Sequence, residues 1–132
     1  MKQRSKIFPE LLKNYPQFFK DYKNPSKSLM GFGCEHDSGW DQIVLELTKK
    51  LAALAKKQKI DIQVVQIKEK FGGLRYYIEG GASSEMNLLI SKYEDKSYET
   101  CEICGKKGEC NQENPWVKTV CKKHWSPKEW RN

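Results

Sequence analysis

Four side chains near the C-terminal end have the types and spacing to chelate a metal ion. Cys101 and Cys104 stand in a Cys-x-x-Cys-Gly run, and Cys121 and His124 form a second pair at the same spacing after sixteen intervening residues. Two thiolates three residues apart on a tight turn reach one ion, and the glycine after them lets backbone amides turn toward the sulfurs. A Cys3His set suits tetrahedral zinc and leaves no open coordination position, which points to a structural ion. Zinc contributes about 10–16 kcal/mol in small zinc peptides, enough to order a segment poor in core residues. Cys110 competes for a place in the ligand set. Cys34 and His36 make a further pair, but on a glycine-flanked stretch that reads as a surface loop capping the next helix. Trp116, Trp125 and Trp130 surround the second ligand pair and read as packing for the module.

A second group of residues has binding chemistry. Two β-rich runs, 60–71 and 74–79, meet across Gly72 and Gly73, and paired glycines supply the positive φ that a tight hairpin turn requires. With Gly72-Gly73 as the turn, Phe71 faces Leu74, Lys70 faces Arg75, Glu69 faces Tyr76 and Lys68 faces Tyr77. Alternation then puts Val65, Ile67, Phe71, Leu74, Tyr76 and Ile78 on one face, the core face, and Lys68, Lys70, Arg75 and Tyr77 on the other. Cations with an aromatic ring are a surface on which phosphates and bases can be met. Glu69 falls on the core face and needs a partner there. A phosphate cradle at Gly72-Gly73 is disfavoured, because the hairpin explains both glycines and no helix starts directly after them.

Hydrolytic chemistry is poorly provided for. A nuclease needs a general base and metal ligands converging on one ion. With His124 committed to zinc, His36, Asp37, Asp41 and Glu69 are the raw material, and no constellation is legible among them.

The elements that position these groups follow from periodicity. Aromatic and basic residues alternate through the first thirty positions, and Pro9, Pro16 and Pro25 limit them to short helical turns. A strong helix follows, with Ser38 as N-cap, Asp41 in capping-box spacing and Trp40, Ile43, Val44, Leu47, Leu51 and Leu54 on one stripe, ending near Lys57. After Gly80-Gly81, Ser83 or Ser84 caps another helix that buries Met86, Leu89, Ile90, Tyr93 and Ser97 and delivers the chain to Cys101. The fold class expected is α+β: a helix-flanked β-hairpin or small antiparallel sheet over residues 1–100, with a treble-clef-like or ribbon-like zinc module, 101–132, packed on it. A two-stranded hairpin is marginal alone and invites a third strand from this chain or another.

At 132 residues the chain can bury a core without disulfides, and five cysteines with four of them inside 101–121 favour metal over cross-links in a reducing cytoplasm. No apolar run approaches the roughly 20 residues that span a bilayer, and no secretory segment develops at the start, so a cytoplasmic protein is expected. The net charge of +7 divides into +5 over residues 1–29, −1 over 30–100 and +3 over 101–132. Basic ends admit an anionic partner such as nucleic acid.

Three stretches together, Gly31-Phe-Gly-Cys34 through Gly39-Trp40, then Lys68-Glu-Lys-Phe-Gly-Gly-Leu-Arg-Tyr-Tyr77, then the CxxCG and CxxH pairs, resemble a family of small phage, prophage and bacterial proteins. The resemblance covers about residues 8–125. Family members read Gly-Phe-x-Cys-Gly-Asp-Gly-Trp, whereas this chain carries Glu35-His36-Asp37-Ser38 before Gly39. The resemblance implies a phage or mobile-element setting and supplies no reaction. The function expected is therefore a non-enzymatic, zinc-stabilised binding protein that grips a host or phage macromolecule, for example as an inhibitor of a defence or nucleic-acid enzyme. Direct DNA or RNA binding is the alternative and a nuclease the last reading.

Overall fold

The structure is a computed structural model that describes residues 3–112 and 117–125. The expectations for Trp116 and Trp130 lie outside those residues. The described chain is α+β. A helix, α1 (Phe8–Asn14), and short 3-10 turns lead into α2 (Asp41–Gln58), followed by a hairpin of β1 (Ile62–Lys70) and β2 (Gly73–Gly80). Then come α3 (Ser84–Ser97) and a second small hairpin, β3 (Glu109–Asn111) with β4 (Lys118–Val120).

The main core forms where α2 and α3 cover one face of the first hairpin. Trp40, Val44, Leu47 and Leu51 from the α2 stripe are sealed against Ile62, Ile67, Leu74 and Met86, with Leu11, Phe18 and Met30 closing the N-terminal side. Each such side chain stabilises the fold by about 1.5–3 kcal/mol relative to exposure. One polar bridge crosses the core, Thr48 Oγ1 to the Tyr76 hydroxyl at 2.7 Å. Ser83 caps α3 as expected, accepting from the Met86 amide. The start of α2 departs from expectation. Ser38–Trp40 is a separate 3-10 turn and no side chain caps α2, because the Ser38 and Gly39 amides are drawn instead to the carbonyls of Gln3 and Glu102. Asp41, placed in a capping box by sequence, accepts from the Ser5 hydroxyl at 2.6 Å.

Both edges of the first hairpin are covered from within the chain. Along β1, the Leu29 amide donates to Val65, the Glu35 amide to Ile67, and the Glu69 amide returns to Glu35. Along β2, Ser97 and Glu94 of α3 accept from the Leu74 and Tyr76 amides, both at 2.9 Å. The third strand that a bare hairpin invites is thus supplied by one bridge, Glu35 to Lys68, and by side chains.

The hairpin register differs from the one expected. Lys70 pairs with Gly73, Lys68 with Arg75, Ile67 with Tyr76 and Gln66 with Tyr77, so the turn is Phe71-Gly72. The shift is even, which preserves the assignment of faces within the paired strands, but Phe71, expected on the core face, falls in the turn and is exposed. The cause of the shift is the second glycine. A Cβ on Gly73 would lie 2.2 Å from Tyr98 Cζ, so glycine is needed there for a close approach and the position enters the strand. The first turn position falls to Phe71, at φ 53°, next to Gly72 at 83°. A left-handed conformation in a bulky residue costs about 1–2 kcal/mol. Further up, a bulge between Val64 and Gln66 breaks the alternation. Val64 and Ile62 are therefore the buried residues, and Val65, expected on the core face, is only half-buried.

Candidate metal centre

The C-terminal module has its own small apolar cluster of Cys101, Ile103 and Val120. The knuckle at Cys101–Cys104 leads through β3 and β4 to Cys121, and a 3-10 turn, Lys122–His124, brings the histidine back beside it. The ligand atoms of Cys101, Cys104, Cys121 and His124 all lie within 4.8 Å of one another. Cys104 Sγ and Cys121 Sγ are 3.7 Å apart, and His124 Nδ1 is 3.7 Å from Cys101 Sγ and 3.3 Å from Cys121 Sγ. Tetrahedral zinc with ordinary bond lengths requires edges of about 3.8 Å between sulfurs and about 3.6 Å between sulfur and nitrogen. These three separations lie close to those edges, so the cluster is compatible with an ion such as zinc.

The thiols differ before any metal is counted. Burial pushes Cys101 above its ordinary pKa, against hydrogen bonds from the knuckle amides. Burial also opposes ionisation of Cys121, but hydrogen bonds from the His124 backbone and ring and from Cys104 and Cys101 outweigh it and bring the thiol down to about 6. Cys121 is thereby available as thiolate, and a bound dication would hold all three sulfurs ionised. Three thiolates and one dication lower the segment's charge from +3 to about +2. Cys110 is not in the group; it pairs with Thr119 across the small hairpin and lies against Gly72 at the turn of the larger one. Trp125, expected as packing, remains 39% exposed.

The module is fastened to the body by a buried charge cluster that sequence reasoning missed. Lys118 Nζ lies 2.7 Å from Glu102 Oε1 and 3.2 Å from Asp37 Oδ2, and Glu102 Oε2 accepts the Asp37 amide at 2.9 Å. All three residues are buried. Burial opposes the Lys118 charge, but the two carboxylates outweigh it and raise its pKa. Burial raises Glu102 in spite of the same lysine, as expected where one cation serves two carboxylates. Beside this cluster the backbones touch: the Gly39 amide donates to the Glu102 carbonyl at 2.7 Å, and a Cβ on Gly39 would come within 2.3 Å of the Cys101 carbonyl oxygen. Trp40 Nε1 donates to the Thr100 carbonyl, and Thr119 Oγ1 donates to the Gly72 carbonyl at 2.6 Å.

The surface loop expected at Cys34–Asp37 is overturned. Cys34, His36 and Asp37 are buried, because the segment lies along β1 and under the C-terminal module. Burial, followed by the nearby Asp41 and Glu35, pushes the Cys34 thiol up to about 12 and makes it inert. His36 Nδ1 faces the Asp37 carbonyl at 2.8 Å and therefore carries the proton, while Nε2 has no hydrogen-bond partner. Burial lowers the His36 pKa against the pull of that carbonyl and of Asp41 and Asp37, which keeps the ring neutral. The remaining acids once weighed for catalysis have structural partners: Asp37 holds Lys118, Asp41 holds Ser5, and Glu69 Oε2 accepts the Gly72 amide at 2.7 Å.

The four hairpin residues Lys68, Lys70, Arg75 and Tyr77 lie on the face opposite Ile67, Leu74 and Tyr76. Lys70 and Tyr77 are exposed, whereas Lys68 and Arg75 are half-buried. Arg75 donates to the Tyr98 hydroxyl at 3.1 Å, a bond that raises its pKa further and keeps it charged. Among the described residues, no helix is long and apolar enough to cross a membrane. Comparison of the chain with family models, curated proteins and solved structures finds no match.

Proposed function

We propose that the protein is a non-enzymatic binding protein whose C-terminal module is held by one structural zinc ion and which engages a host or phage macromolecule. The observation that carries this reading is the closed Cys3His set. Four side chains fill a tetrahedral shell, so the ion contributes folding energy and no position is left for substrate or activated water. A knuckle, a hairpin and a ligand pair on a helical turn, in that order, support a treble-clef-like module. The resemblance of the Gly31–Trp40, Lys68–Tyr77 and Cys/His stretches supports a phage setting, and inhibition of a host defence or nucleic-acid enzyme in the host cytoplasm is one form this binding would take.

Direct binding of DNA or RNA is a second reading, favoured by one observation: Lys68, Lys70 and Arg75 share the outer hairpin face with Tyr77, and Glu79 is the one acid of β2 on that side. Native mass spectrometry of protein purified from a bacterial cytoplasm tests both. One zinc per chain with a stoichiometric protein companion supports the first reading. Bound oligonucleotide that leaves at high salt supports the second, and a catalytically competent metal load with turnover of any substrate contradicts both.

A further inference from the structure

The turn of the first hairpin presents an aromatic ring that no apolar cluster of the described residues takes up. Phe71 takes a strained left-handed conformation, its ring is 68% exposed, and it belongs to neither apolar cluster. The turn is also held rigidly. Glu69 accepts the Gly72 amide, Thr119 of the zinc module donates to the Gly72 carbonyl, and Gly73 sits against the Tyr98 ring. Around the ring, Lys70 Nζ lies 5.7 Å from its centroid, Lys68 and Arg75 face each other two pairs beyond Lys70 and Gly73, and Tyr77 offers a second, 40% exposed ring.

We propose that Phe71 anchors a site for single-stranded nucleic acid: its ring stacks on an unpaired base while Lys68, Lys70 and Arg75 meet the flanking phosphates and Tyr77 offers a second stacking surface. The proposal rests on the nucleic-acid reading above and names its partner. Cations beside separate exposed rings match a strand whose charges and base faces are both accessible; in a duplex the base faces are already stacked. Tyr77 stands four residues along β2 from Gly73, roughly 13 Å, so the two rings address bases that are not adjacent. The zinc module, through Thr119, holds the turn that presents Phe71.

Fluorescence anisotropy with labelled short oligodeoxythymidylate, oligouridylate and a DNA duplex, on the full zinc-loaded chain, tests this. Phe71→Gly removes the ring and the strain together, so the melting temperature holds or rises while affinity for the single strands falls about tenfold or more. Phe71→Tyr keeps the ring and keeps the affinity. Lys70→Gln lowers the salt slope by about 0.7 for single strands. Wild-type protein that binds neither single strand overturns the nucleic-acid reading itself. Binding that is indifferent to Phe71→Gly, or equal on duplex and single strands, overturns the assignment of Phe71 alone. A protein partner lost on Phe71→Gly, with oligonucleotide binding absent, reassigns the ring to a protein interface and refutes the proposal.

Discussion

Replacing Lys118 by methionine leaves Asp37 and Glu102 facing each other in a site where the three side chains are only 3–8% exposed. The methionine occupies most of the lysine's volume, so the change isolates charge from packing. Removing one partner from a buried ion pair costs about 3–5 kcal/mol, most of it the uncompensated charge left behind. For a chain of this size that lowers the melting temperature by roughly 10–20 °C. The effect has a second signature in pH. Burial already raises Glu102, so in Lys118→Met this carboxyl moves further up and takes its proton earlier as pH falls, which neutralises the site and narrows the gap to wild type. Denaturant unfolding at several pH values measures both. Combining Lys118→Met with Asp37→Asn and Glu102→Gln removes every charge and recovers more than half of the lost stability. The Cys3His side chains are untouched, so metal content is expected to stay unchanged in all variants. A loss below about 1 kcal/mol for Lys118→Met, the range of an exposed pair, refutes the claim that this cluster fastens the module to the body.

Two further predictions test other parts of the structure. Gly73→Ala drives a methyl into the Tyr98 ring and destabilises by about 1–3 kcal/mol, whereas Gly81→Ala, where a Cβ meets nothing within 4 Å, leaves the melting temperature unchanged or slightly raised; equal effects at the two glycines contradict the register. The His36 ring titrates in NMR with a midpoint below its ordinary value of about 6.5 because burial holds it neutral. Its folded pKa lies below its unfolded one, so its contribution to stability is complete above about pH 6.5 and falls by up to about 1.4 kcal/mol per unit as pH drops toward the folded value; a midpoint at or above 6.5 contradicts the burial of this ring.

Local chemistry made several of these features readable in the sequence. The stripe of α2, the Ser83 cap and the two ligand pairs depend on residues within a few positions of one another, and the structure realises each. The existence of the first hairpin was equally legible, but its register was not. Two glycines looked interchangeable as turn formers, while Gly73 is required by a ring from α3's C-terminal end, 25 residues away. The bulge at Val65 serves contacts with Leu29 and has no periodic trace. The Lys118–Asp37 contact spans 81 positions, and no spacing rule connects such residues. For the same reason the Cys34–Asp37 segment, polar and glycine-flanked, read as surface although the module covers it. The one local signal of the charge cluster is Glu102, an acid between Cys101 and Ile103, both buried, and it went unread in the sequence.

The most direct test of the central claim is the metal content of the purified chain by native mass spectrometry and elemental analysis, beside Cys104→Ser and Cys110→Ser variants. The account predicts one zinc ion per chain in the wild type, retained in Cys110→Ser and lost or bound far more weakly in Cys104→Ser. A wild-type chain without zinc, or a Cys104→Ser variant that holds it as tightly as wild type, contradicts it.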